Sequence, residues 1–246
     1  MMNDVIIPPR SGKKPKQLIL YFHGMGGTAT TNAWFGEALS SVLPDAVVCV
    51  ANGFVALDGN EETRGWFPVP PNFNDDWFTV HPTELNEADY AKFIQMYDMY
   101  HPFAQMTADY VKEKQKQFHL DAAHTFVIGV SQGAMLLAQL VAESDLLADK
   151  LDEGRLMPIG GAVIVCGCLL NAQKVEEHPT LSKPEFVFIH GSEDRCVPFD
   201  AMLFSDRTLL NLGQKTITKI VWGKDHTYFE REALDEILRI TQKLVD

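Results

Sequence analysis

A serine flanked at two residues' distance by glycines stands at Gly129-Val130-Ser131-Gln132-Gly133. An apolar run, Thr125 to Val130, leads into it, and a second apolar run with helical character, Ala134 to Ala142, leads away. At a strand-to-helix junction such a turn holds the hydroxyl out of the chain. The helix that follows presents its positive N-terminus to developing negative charge. Glycine suits both flanks because a side chain there would meet neighbouring backbone. The chemistry implied is nucleophilic attack of Ser131 on a carbonyl, with an oxyanion facing the helix start.

Such a serine needs a base, and the base needs an acid to orient it. Downstream, Phe186-Val187-Phe188-Ile189 reads as a buried strand, and His190-Gly191-Ser192-Glu193-Asp194 follows it as a turn. A carboxylate just past a strand's C-terminal end can accept from an imidazole. Asp194 is the expected acid, with Glu193 and Asp200 as alternatives. Thr216 to Trp222 alternates polar and apolar residues like a strand. It ends in Gly223-Lys224-Asp225-His226, which makes His226 the expected base. His190 is the rival, read as a structural residue bonded to a turn.

Nearer the N-terminus, the apolar strand Leu18-Ile19-Leu20-Tyr21-Phe22 runs into His23-Gly24-Met25-Gly26-Gly27. Three glycines let the backbone turn close to a substrate and point an N–H at its carbonyl oxygen. The backbone N–H groups of Met25 and Gln132 are the expected oxyanion donors. His23 is expected to brace the loop. A phosphate cradle is disfavoured, because no G-K-[ST] follows and the G-x-G-x-x-G spacing is missing.

Taken together, His23 to Gly27, Gly129 to Ala134, His190-Gly191 through Asp194-Arg195-Cys196-Val197-Pro198, and Gly223 to His226 resemble the phospholipase/carboxylesterase family. The resemblance runs from about residue 16 to the C-terminus. It implies an α/β-hydrolase fold and a cofactor-independent, metal-free serine hydrolase acting on carboxylic esters or thioesters. Amidase or peptidase chemistry, and a non-catalytic binding module on the same fold, stay open beside it. Arg64-Gly65-Trp66-Phe67 resembles the family's Trp-aromatic segment, so Trp66 and Phe67 are the expected acyl-binding residues, for short to medium chains. The chain departs from the family pattern at Val50-Ala51-Asn52-Gly53-Phe54, where prolines are usual. It departs again at Pro68, where an aspartate usually follows the aromatics.

The elements that must position these residues alternate. Strands near 18–23, 46–50, 124–130, 161–166, 185–190 and 216–222 are interleaved with helices near 31–42, 103–118, 132–143, 199–211 and 229–244. That order implies one α/β domain over residues 1–246, a mostly parallel sheet covered by helices on both faces. Each candidate segment follows a strand, so all converge on the sheet's C-terminal edge. An insertion at about 52–103 interrupts the alternation. Its first half carries Phe54, Trp66, Phe67, Phe73, Trp77 and Phe78. Its second half carries Tyr90, Phe93, Tyr97, Tyr100 and Ala104 on one helix face, and His101-Pro102 is expected to end that helix. The stripe is expected to pack on the body, with a cap over the site or a homodimer contact as alternatives.

Composition bounds the partners. A net charge of -12 over 246 residues argues against nucleic acid and against anionic membranes. Apolar stretches are strand-sized, too short to span a bilayer. Met1 to Pro9 is too short and proline-punctuated for a signal peptide. The four cysteines, at 49, 166, 168 and 196, lack ligand spacing for a metal and suit a reduced, cytoplasmic setting better than a disulfide framework. The expected partner is a small-molecule ester or thioester.

Overall fold

A computed structural model describes residues 4–70, 87–143, 159–180, 182–226 and 231–245. Among the described residues, seven strands build the central sheet: β1 (Val5–Ile7), β2 (Gln17–Phe22), β3 (Ala46–Ala51), β6 (Thr125–Val130), β7 (Gly161–Val165), β8 (Glu185–Gly191) and β9 (Lys215–Val221). Their spatial order is β1-β3-β2-β6-β7-β8-β9. Only the β1–β3 pair is antiparallel. The interior strands β2, β3, β6 and β7 are almost wholly buried, which is why they read as continuous apolar runs.

Alternation along each strand divides the core. Leu18, Leu20 and Phe22 of β2 face one apolar layer with α2 (Glu87–Phe118), α3 (Gln132–Ala142) and α5 (Phe199–Asn211). Ile19 and Tyr21 face the other, with α1 (Ala33–Val42) and α6 (Arg231–Val245). Helices therefore cover both faces, as the alternating pattern predicts. A short helix, α4 (Ala172–Glu177), adds to the first layer.

Sheet growth reverses at β2. From there the chain moves outward to β3 and later returns to add β6 on the opposite side. At such a switch point the loops that leave two adjacent strands diverge and open a crevice. The two loops here are His23–Gly27 and the turn at Ser131.

The insertion differs from its expectation in two ways. First, it contains a hairpin, β4 (Val55–Leu57) with β5 (Asn60–Gly65). Second, α2 runs unbroken from Glu87 to Phe118 with Pro102 inside it. The expected break at His101-Pro102 does not occur. Pro102 and Asp98, whose carbonyl loses its partner, both lie on the exposed face. Phe93, Tyr97, Tyr100 and Ala104 on the other face are buried in the core, and that packing outweighs one missing hydrogen bond. Phe73, Trp77 and Phe78 lie outside the described residues. Among the described residues, no helix is long and apolar enough to cross a membrane.

Candidate functional site

Ser131 sits between β6 and α3 with φ 52° and ψ −119°, a conformation that strains any residue bearing a side chain. The surroundings hold it there. Ser131 N–H donates to the Val165 carbonyl at 2.9 Å, and the chain must turn into α3 at the next residue. Room for that turn depends on glycine. A methyl group on Gly133 would stand 2.4 Å from the Phe22 carbonyl oxygen, so only glycine lets the elbow close onto the end of β2. Gly129 is equally crowded, by Ala134 backbone at 2.6 Å. The collisions expected from the sequence are present at both flanks.

His226, in the loop after β9, brings Nε2 to 2.8 Å from Ser131 Oγ and Nδ1 to 2.8 Å from Asp194 Oδ2. Asp194 is fully buried. Its other oxygen, Oδ1, accepts from the backbone N–H groups of Cys196 and Val197, each at 2.9 Å. Glu193 is exposed on the same turn. His190 donates from Nε2 to the Val197 carbonyl at 2.9 Å and lies 3.2 Å from Asp194 Oδ2, so it braces the acid's turn. Burial works against both charges of the His226–Asp194 pair. The hydrogen bonds from His190 and His226 overcome it and hold the Asp194 carboxyl well below the usual range. For His226 the bond to Asp194 likewise outweighs burial and holds the imidazole above its ordinary value. The Cys166 thiol, Asp194 and His226 have ligand atoms within 4.8 Å of one another, but the acid and imidazole are already engaged with each other.

Across the crevice, neither the Met25 N–H nor the Gln132 N–H has an acceptor among the described residues. The loop that carries Met25 is held from several sides. His23 Nε2 accepts from the Gly53 N–H at 3.1 Å, which leaves the proton on Nδ1 to donate to the Gly24 carbonyl at 2.7 Å. Gly24 C=O and Met25 N–H belong to one peptide plane and point opposite ways. Pinning the carbonyl therefore aims the N–H. Burial pushes the His23 imidazole down to about 4, so it is neutral as this pair of bonds requires.

A cavity of about 30 Å³ opens beside Ser131, lined by Met25, Val69, Met96, Gln132, Met135, Cys196 and Val197. Its walls are largely apolar, and it has room for about two or three waters, or for a short acyl chain. Trp66 and Phe67 do not line it. Both are fully buried: the Trp66 ring packs on Phe22, His23 and Phe54, and Phe67 packs on Tyr100. Trp66 donates from Nε1 to the His23 carbonyl at 2.7 Å.

Sequence reasoning overlooked Val69, Met96 and Met135 in the cavity walls, and the β4–β5 hairpin. A signal for the hairpin was present. Asp58-Gly59 forms its two-residue turn, both with positive φ, and Asp-Gly between strand-like residues is a strong hairpin cue. The cavity's methionines carry no such cue, because methionine is common in any core.

Known proteins place this geometry in context. The phospholipase/carboxylesterase family model matches residues 2–244. An esterase of Escherichia coli K12, YpfH, is 24% identical over 241 residues, which is 96% of this chain and 88% of that protein. The crystal structure of esterase PE8 superposes with a TM-score of 0.79 at 20% identity, covering 99% of both chains. A Bacillus cereus carboxylesterase superposes at 0.66 with 16% identity, covering 99% of this chain and 95% of its own. Arabidopsis thaliana SOBER1 also superposes at 0.66, with 18% identity over 94% and 99%. A match of this extent makes the protein a hydrolase with the α/β-hydrolase fold, and the chain belongs to the phospholipase/carboxylesterase family.

Proposed function

We propose that this chain hydrolyses carboxylic esters, and thioesters of the same acyl groups, through a covalent acyl-enzyme on Ser131. The observation that carries the reading is the continuous pair of 2.8 Å contacts from Ser131 through His226 to Asp194, facing two backbone donors that have no acceptor among the described residues. His226 takes the Ser131 proton as the oxygen adds to the carbonyl carbon. The carbonyl oxygen becomes an oxyanion held by the Met25 and Gln132 N–H groups. When the tetrahedral species collapses, the C–O or C–S bond to the leaving group breaks and His226 returns the proton to that group. Water, deprotonated by His226, then attacks the acyl-enzyme; the Ser131 Oγ–acyl bond breaks, His226 returns the proton to Oγ, and the acid leaves.

The small apolar cavity favours short to medium acyl chains. Val69 and Met96 both line it, so the 52–103 insertion supplies one wall of the acyl site. The decisive experiment compares wild type with Ser131→Ala. Wild type is expected to take up one fluorophosphonate per chain and to hydrolyse p-nitrophenyl acetate and butyrate faster than palmitate. The variant keeps its fold and loses turnover by on the order of 10⁴ or more. Burst kinetics that persist in the alanine variant would assign the nucleophile elsewhere.

A further inference from the structure

The two proposed donor N–H groups stand on separate loops, one after β2 and one at the start of α3, and nothing covalent nearby fixes their spacing. Met25 is 41% exposed in a stretch with three glycines, so its loop needs outside support to hold one conformation. That support comes from residues 64–67. The Gly26 N–H donates to the Arg64 carbonyl at 2.8 Å, and the Arg64 N–H donates to the Gly27 carbonyl at 3.2 Å. The end of β5 thus pairs with the loop like a short additional strand. The Trp66 indole then ties to the His23 carbonyl at 2.7 Å.

The same segment is fastened to the elbow by one side chain. Gln132 Oε1 accepts from the Trp66 N–H at 2.9 Å, and Gln132 Nε2 donates to the Phe67 carbonyl at 2.9 Å. Gln132 is almost fully buried, so neither bond competes with bulk water and each has few alternatives. A continuous path follows: His23 carbonyl, Trp66 indole, Trp66 backbone N–H, Gln132 side chain, Gln132 backbone N–H. Arg64 secures the outer side by donating to the Gly53 and Phe54 carbonyls, and Gly53 in turn holds the His23 ring.

We propose that Trp66 and the side chain of Gln132 are positioning residues that set the distance and aim between the Met25 and Gln132 N–H groups. The inference rests on the ester-hydrolase reading above. Its physical basis is that oxyanion stabilisation depends on donors placed in advance for the tetrahedral oxygen. Small misplacements at such a site lower turnover while leaving ground-state binding nearly intact. Neither side chain lines the cavity as a contact for the acyl tail, except that Gln132 borders it at the elbow itself.

The test uses the full chain with Trp66→Phe, which keeps a ring but loses the indole bond. A second variant, Gln132→Met, keeps the backbone N–H and loses both side-chain bonds. For p-nitrophenyl butyrate, kcat is expected to fall about 10- to 100-fold in each, below the cost of deleting a donor outright, with KM within about threefold. The Ki of a butyl trifluoromethyl ketone, whose adduct carries the oxyanion, should rise by the same factor as kcat/KM falls. The double variant should lose no more than about threefold beyond the worse single one, because both act in one path. Wild-type kcat and Ki in a folded variant would overturn the inference. So would a rise in KM alone, which would make Trp66 an acyl contact, or losses that multiply in the double variant. If Trp66→Phe fails to fold, Gln132→Met decides the matter by the same kcat and Ki comparison. An active wild type with unchanged variants removes only this inference. A wild type that neither turns over esters nor binds the ketone removes the proposed function and this inference with it.

Discussion

Asp194 holds His226 with one oxygen while two backbone N–H groups fill the other. That arrangement keeps the carboxylate ionised and locks the imidazole with its proton on Nδ1. Changing Asp194 to Asn would favour the wrong tautomer and is expected to lower kcat about 10⁴-fold. Glu193→Gln, on the exposed neighbour, should cost less than about tenfold. The pH profile carries a second expectation. In the proposed mechanism only neutral His226 can accept the Ser131 proton, and the pair with Asp194 raises the imidazole above its ordinary 6.5. Activity must therefore fall as pH drops, and the midpoint of the acidic limb of kcat/KM should lie above 6.5. A midpoint at or below that value, or a larger loss from Glu193→Gln than from Asp194→Asn, would contradict the geometry.

At the scale of elements, α2 does two jobs with one face. Phe93, Tyr97, Tyr100 and Ala104 anchor it to the core, while Met96 reaches the cavity. If the cavity takes the acyl chain as proposed, Met96→Ala should deepen it by roughly the length of the lost side chain. Each extra buried CH₂ contributes about 0.8 kcal/mol, or roughly fourfold. The octanoate-to-butyrate ratio of kcat/KM is thus expected to rise about tenfold or more, at a cost in melting temperature from the cavity itself. A ratio unchanged between wild type and variant would place the acyl chain elsewhere.

Elements also show what the residues alone disclosed. The strands before Ser131 and Asp194 were legible because burial on both faces makes them continuous apolar runs ahead of glycine-bearing turns. His226 was legible for another reason: β9 is partly exposed and alternates polar with apolar residues before its turn. The hairpin β4–β5 escaped despite its Asp58-Gly59 turn because its second strand, Asn60–Gly65, is polar and exposed over its first half, leaving no alternation to see. Pro102 misled because local backbone rules say nothing of the buried aromatic face that holds α2 together. Trp66 and Phe67 were legible as important but not in what they touch, since aromatics behind a wall and aromatics lining it have the same sequence.

Across the molecule, the helical layer on one side of the sheet is joined by a buried polar contact. The Tyr97 hydroxyl of α2 donates to Glu143, just past α3, at 3.1 Å. Burial pushes the Glu143 carboxyl up from 4.5 to about 7, even though Gln139, Tyr97 and Lys174 favour its charge. The folded state therefore binds this proton more tightly than the unfolded chain does. Its contribution to stability is fully present below 4.5 and is lost as pH rises through about 7. Glu143→Gln, neutral at every pH, should leave the melting temperature nearly unchanged at pH 4.5. At pH 8 it should raise stability by about 3 kcal/mol, several degrees for a chain this long. Melting curves of both proteins at pH 4.5 and 8 test this, and a temperature difference that ignores pH would reject it.

The burial of Trp66 gives the molecule an optical consequence. Trp34 and Trp222 are 50% and 74% exposed, so an aqueous quencher such as iodide reaches both, while Trp66 is sealed against the His23 ring. With Trp77 replaced by Phe, emission that survives quenching comes from Trp66 and should peak toward the blue. Any event that loosens the loop around His23 would admit solvent to that indole and shift its emission red. The protein thus contains a native fluorophore at the brace of the His23–Gly27 loop, able to signal a local opening well before the fold as a whole gives way.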